Sequence, residues 1–149
     1  MFNSICLMLS LFKGYPKEEI QRVIKATNLE GFIEALPDGL DTYIGEGGKS
    51  CSGGEKQKIA LARALLLKSN FLILDESTAN VDNINADKIM ENILSLEDCG
   101  NIIITHQLNY KVLSKCRKIY VMKQGKVVEE GNLNQLLDKK GYLYSLYSV

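Results

Sequence analysis

Asp75 and Glu76 stand side by side after the wholly apolar run Phe71-Leu72-Ile73-Leu74, and a third acid, Asp82, follows six residues on. A continuous apolar run of this kind reads as a strand covered on both faces, as in a parallel sheet. Acids at the carboxyl end of such a strand lie at the ligand-binding edge of an α/β sheet. A carboxylate so placed can orient or deprotonate a water molecule, a role worth about 10²–10⁴ in rate. The second chemical signal is Cys51-Ser52-Gly53-Gly54-Glu55. Ser52 and Glu55 form a Ser-x-x-Glu capping box at the start of a helix. A helix N-terminus carries unsatisfied N–H groups and the positive end of the helix dipole, so it attracts phosphate oxygens. Ser52 adds a hydroxyl donor, and Gly53 and Gly54 remove the Cβ atoms that would hold a phosphate off the backbone. Taken alone, Ser-Gly-Gly-Glu reads equally well as an ordinary capped helix after a glycine-rich loop.

The elements that must position these residues follow from periodicity. Ile20, Val23, Ile24 and Leu29 share one face of a helix over 17–29, with Pro16 where a first turn tolerates it. A short helix at 31–36 is stopped by Pro37-Asp38-Gly39, and the glycine-rich stretch 39–53 is loop. The capped helix runs from about 54 to 68, and the strand Phe71–Leu74 follows. A helix near 85–96 leads to a second strand, Ile102-Ile103-Ile104, directly before Thr105 and the sole histidine, His106. A helix around 109–114 leads to a strand at Ile119–Met122, and Gln124-Gly125 turns the chain into Val127-Val128 as a hairpin. Asn132 is placed to cap a final helix through Leu137. Helices first, then alternating strand and helix, argue for α/β architecture.

Composition narrows the function classes. At 149 residues the chain is one domain or part of one, and its eighteen basic and eighteen acidic residues leave no net charge. Composition therefore gives no electrostatic case for binding DNA or RNA. The four cysteines, at 6, 51, 99 and 116, show no Cys-x-x-Cys spacing and suggest neither a zinc cluster nor a disulfide framework. The apolar run from Ile5 to Phe12 has no preceding positive charge and is too short to span a bilayer, which needs about 20 residues. It reads as a buried segment, and membrane association then has to come through a partner.

Read in order, these motifs resemble the exporter branch of the ABC-type ATPases. Ser52–Glu55 matches the signature motif, Ile59-Ala60-Leu61-Ala62-Arg63-Ala64-Leu65-Leu66 the helix behind it, Phe71–Glu76 Walker B, Ala79-Asn80-Val81-Asp82 the D-loop, and His106 the H-loop. Upstream, Phe32–Thr42 and Tyr43-Ile44-Gly45-Glu46-Gly47-Gly48 look like the exporter branch, in which the segment matched by Thr42–Gly48 touches the coupling helices of a transmembrane domain. Lys126–Gly131 through Gly141-Tyr142 also follows the exporter pattern, so the resemblance covers nearly the whole chain. It implies a partial P-loop NTPase (ABC ATPase) fold: a helical subdomain and loop over about 1–53, then a parallel-sheet core over about 54–149. It implies ATP and Mg²⁺ as cofactors, with Asp75 on the metal and Glu76 and His106 as the catalytic pair, His106 at the γ-phosphate. Ser52, Gly53, Gly54, Glu55 and Asp82 would contact nucleotide across a head-to-tail pair of nucleotide-binding domains. A transmembrane partner, met through the loop Thr42–Gly48, would hold the chain at the cytoplasmic face of the membrane.

The departures matter equally. Gly48-Lys49-Ser50 mimics the end of a phosphate loop, but Tyr43 stands where its first glycine belongs and no buried strand precedes it. These 149 residues thus carry no Walker A, nor a Q-loop glutamine, and the isolated chain is expected to be inactive. Without the strand and helix that flank a phosphate loop, the sheet should have an uncovered edge or face beside Phe71–Leu74. Cys51 replaces the usual signature leucine, and only Asp82 of the D-loop is identical to the common form. Two alternatives stand: a lobe of a chromosome-structure or DNA-repair ATPase, where Ser-Gly-Gly-Glu-Lys also occurs, or a non-catalytic dimerisation module. The first lacks its expected support, because no sustained heptads appear.

Overall fold

Residues 4–11, 13–43, 51–78, 80–96 and 99–147 are described in the computed structural model of the chain. Residues 44–48 of the exporter-type segment, the phosphate-loop mimic at 48–50 and Ala79 lie outside them. The chain divides into two units, Met1–Ile104 and Thr105–Val149.

In the first unit the apolar amino-terminal run is a helix, α1 (Ile5–Ser10), with Ser4 Oγ accepting the Leu7 N–H and Ile5 and Leu9 buried. Helix α2 (Lys17–Ala26) opens on Pro16 and buries Ile20, Val23 and Ile24. It stops earlier than periodicity suggested, because Asn28 takes a left-handed backbone (φ 53°) and Leu29 turns the chain into α3 (Glu30–Glu34). A 3-10 turn at Gly39–Asp41 sits inside the stretch expected to be all loop. Helix α4 (Gly53–Leu66) packs against α1 and α2 and buries Ile59, Ala62 and Leu66. Strand β1 (Phe71–Asp75) pairs in parallel with β2 (Gly100–Ile104) across α5 (Asn83–Leu94), a βαβ arrangement. Ile89 and Ile93 carry α5 into the same core.

One expectation about β1 fails. Its burial alternates: Leu72 and Leu74 are buried, but Phe71 and Ile73 are 52% and 67% exposed. Ile102 and Ile104 on β2 are exposed as well. The apolar run is thus covered on one face only, and the uncovered face expected beside it is present.

The second unit is built on a hairpin. Helix α6 (Tyr110–Lys115), capped by Asn109, precedes β3 (Ile119–Lys123), which pairs antiparallel with β4 (Lys126–Gly131). Gln124 and Gly125 both have positive φ (49° and 75°), the combination a tight two-residue hairpin turn requires. Helix α7 (Leu133–Asp138) carries the expected Asn132 cap. A further helix, α8 (Tyr142–Tyr147), was not legible in the sequence; the Glu129 carboxylate accepts the Tyr142 and Leu143 N–H groups at its start. Leu113, Val121, Leu133, Leu136 and Leu143 close the core. Among the described residues no helix is long and apolar enough to cross a membrane.

Candidate functional site

Ser52 has an extended backbone before α4; its Oγ accepts the Glu55 N–H at 3.3 Å, and Glu55 Oε2 accepts the Ser52 N–H at 2.6 Å. Both halves of the capping box are made. A hydroxyl that accepts one bond still has a proton to donate, and Ser52 is exposed. The Glu55 carboxylate meanwhile occupies one amide donor at the helix start, so an incoming phosphate must share that end with a negative charge. Cys51 is buried, and burial, reinforced by Glu55, pushes its thiol pKa up. It is a packed apolar side chain rather than a reactive thiol.

The two signature glycines differ. A Cβ on Gly53 would meet the Asn80 Cβ at 3.8 Å, an ordinary contact, whereas one on Gly54 would lie 2.7 Å from the Asn80 carbonyl oxygen. Gly54 therefore has a role that ligand-centred reasoning missed: it lets the chain at residue 80 pass against the start of α4. Gln57 fastens the same crossing, its Oε1 accepting the Asn80 N–H at 3.0 Å. Nothing in local spacing marks Gln57, because its partner lies 23 positions away.

Asp75 ends β1 opposite Ile104 of β2 and is exposed. Glu76 then leaves the strand with φ 45°, and its N–H donates to the Ile104 carbonyl at 3.0 Å. A left-handed non-glycine residue costs about 1–3 kcal/mol, and such residues cluster at functional sites. The chain runs on into a turn closed by Val81 N–H to the Thr78 carbonyl at 3.0 Å, with Thr78 and Val81 buried. Asp82 caps α5: Oδ1 accepts the Asn85 N–H at 3.1 Å and Oδ2 the Asn85 side-chain amide at 2.6 Å. The Asn85 amide, then its backbone N–H, holds the Asp82 carboxyl below the usual carboxylate range.

The structure thus brings Ser52–Glu55 and the 80–82 turn into contact, and Asp75 and Glu76 lead directly into that turn. His106 belongs to the second unit, two residues past β2; it is exposed, and beside it Thr105 Oγ1 accepts the Gln107 N–H at 3.0 Å. Among the described residues no three His, Cys, Asp or Glu side chains gather as a metal cage. Mg²⁺ needs no such cage, since it takes one or two carboxylates and completes its shell with water and phosphate oxygens. An exposed Asp75 at the strand end fits that chemistry.

The sequence profile described as "ABC transporter" matches residues 8–79. The chain is 39% identical over 137 residues to the heterocyst differentiation ATP-binding protein HepA of Nostoc sp., covering 91% of this chain and 22% of that protein. It is 40% identical over 136 residues to an ATP-dependent lipid A-core flippase of Desulfotalea psychrophila, covering 89% and 23%. It is also 40% identical over 141 residues to a lactococcin transport/processing ATP-binding protein, LcnC-like, of Lactococcus lactis, covering 95% and 19%. The chain therefore spans about a fifth of the length of these relatives. Its structure matches that of a bacterial Atm1-family ABC exporter with ATP bound, at TM-score 0.84 and 29% identity, over 99% of this chain and 26% of that one. The order of motifs, the βαβ core that carries the acids and these likenesses agree: over residues 8–79 the chain matches the ABC transporter family, and across most of its length it resembles the ATP-binding part of ABC exporters.

Proposed function

We propose that this chain supplies the signature, magnesium-binding and water-activating parts of an ABC exporter ATPase that couples ATP hydrolysis to transmembrane transport. The observation that carries this reading is the end of β1. There Asp75 closes the strand, and Glu76, in a left-handed backbone tied to Ile104, opens the turn that packs on the Ser52–Gly54 helix start. Residues 1–149 then form part of one ATPase domain, helical up to about residue 53. Asp75 holds Mg²⁺ directly or through water, and the bound ion supplies neutralisation of charge on the phosphate oxygens. Glu76 accepts the proton of the attacking water or orients it. His106 contacts the γ-phosphate and helps keep Glu76 and the water in place. Ser52–Glu55 meets ATP carried by a second nucleotide-binding domain paired head to tail, and Asp82 makes contact across that pair. The Thr42–Gly48 segment meets the transmembrane domain, which holds the chain at the cytoplasmic face of the membrane.

These 149 residues hold no phosphate loop, and positioning of the β- and γ-phosphates supplies most phosphoryl-transfer catalysis. Calorimetry on the purified 149-residue chain is therefore expected to find very weak Mg-ATP binding, and hydrolysis is expected to appear only when a Gly-x-x-x-x-Gly-Lys-Ser segment of the same domain is joined to it. Tight, stoichiometric ATP binding by the chain alone would contradict the reading.

A further inference from the structure

Four hydrogen bonds around Asp82, joined by the short backbone links 57–58 and 80–82, form a ring that reaches back to the turn after α2. Asn80 N–H donates to Gln57 on α4 at 3.0 Å, and Asp82, two residues on, accepts the Asn85 side-chain amide at 2.6 Å. The Asn85 Oδ1 accepts from the Asn28 side-chain amide, and the Asn28 carbonyl accepts from Lys58 Nζ at 3.0 Å, beside Gln57. Asn92 adds a parallel tie outside the ring, its amide donating to the Ala26 carbonyl at 3.0 Å. The polarity of the ring is set at Asp82. An ionised carboxylate only accepts, so Asn85 must turn its NH₂ toward it and its oxygen toward Asn28, which must then donate. The left-handed backbone of Asn28 (φ 53°) suits a residue type that tolerates that conformation.

We propose that Asn28 and Asn85 are positioning residues for Asp82: they carry the placement of the turn after α2 to the Asp82 carboxylate, so that the 80–82 turn follows the helical segment rather than moving independently. The inference deepens the proposed function, since Asp82 matters to turnover only if it contacts a partner domain as proposed above. The ring itself is independent of that reading. Lys58, whose charge also acts on Asp82, stays in place in the variants below.

Asn28→Gly keeps a backbone that accepts φ near 53° and the carbonyl that Lys58 holds, and deletes only the side-chain amide. In NMR titrations of the 149-residue chain it is expected to move the Asp82 carboxyl midpoint upward, toward the usual carboxylate range. Exchange of the Asn85 amide should speed up roughly three- to tenfold, the effect of losing one ordinary hydrogen bond. The Glu19 midpoint, held down by Lys68, should stay where it is. Asn28→Asp, which also tolerates the left-handed turn and lacks the donor, brings a negative charge that raises the Asp82 midpoint by itself, so should the glycine variant fail to fold it is read by the exchange of the Asn85 amide alone. An Asp82 midpoint that Asn28→Gly does not move, while Asn85→Ala does, or an Asn85 amide exchange that neither variant speeds up, overturns the proposal. Turnover in the domain restored with its phosphate loop separates the two readings. A moved Asp82 midpoint with lower kcat and unchanged KM upholds both. A moved midpoint with unchanged kcat upholds the ring and removes Asp82 from the proposed function.

Discussion

The two units hold themselves together in different ways. In the first, polar side chains reach across long stretches of sequence: Asn28 to Asn85 across 57 positions, Lys58 to the Asn28 carbonyl across 30, and Arg63 to the Met8 carbonyl across 55. In the second, side-chain hydrogen bonds among the described residues serve as local caps, such as Asn109 on α6 and Asn132 with Gln135 on α7, or stay within a turn of their own helix, such as Ser114 to the Lys111 carbonyl. Glu129 reaches the start of α8 across 14 positions. The unit that carries the acids thus fixes its turns through distant partners, whereas the hairpin unit relies on near neighbours and one small apolar cluster. The contrast identifies where substitution should disturb the site and where it should disturb only the fold.

The largest expected effect lies in the second unit. Leu136 is fully buried in the cluster of Leu113, Val121, Leu133 and Leu143. Leu136→Ala should cost about 2–5 kcal/mol, read as a lowered unfolding midpoint in urea. A loss under about 1 kcal/mol would mean that the cluster collapses around the gap and is not what holds this unit.

The signature glycines give a sharper comparison inside the first unit. Gly54→Ala drives a Cβ to 2.7 Å from the backbone oxygen of Asn80, which has to shift. That overpacking should destabilise by about 1–3 kcal/mol. Gly53→Ala meets only an ordinary contact and should be neutral or slightly stabilising, since alanine suits a helix better than glycine. Equal melting curves for the two variants would break the argument that Gly54 exists to let residue 80 pass.

A smaller effect, of opposite sign, is expected at Glu76. Its left-handed backbone is strained for any residue with a Cβ, so Glu76→Gly should stabilise the chain by about 1 kcal/mol. A destabilised variant would show that the Glu76 side chain contributes more to the fold than its backbone costs.

The same contrast explains what the sequence discloses. Capping signals are local, so Ser52 with Glu55 and Asn132 with Gln135 could be read from spacing alone, as could the Gln124-Gly125 turn. The four apolar residues of β1 located the strand, but they could not say how many of its faces are covered, because that depends on segments elsewhere in the chain. Asp75, Glu76 and Asp82 were legible as chemistry; the Asp82 cap of α5 is as local as the others, with Asn85 three residues on, whereas the left-handed backbone of Glu76 carries no such spacing. Gln57, Asn28 and the outward-facing oxygen of Asn85 carried no signal, because the partners concerned sit 23 to 57 positions away. Helix α8 was missed because its amino-terminal cap comes from Glu129 on a preceding strand rather than from the residue before it.

The central claim is that Glu76, at the end of β1, activates water in an ABC ATPase. The direct test is steady-state hydrolysis by the domain restored with its phosphate loop, wild type against Glu76→Gln, with ATP binding measured on the same samples. The amide keeps the shape of the carboxylate and removes the base, so turnover should fall by about 10²–10⁴ while ATP affinity stays close to wild type. Wild-type hydrolysis by the Glu76→Gln protein would contradict the account.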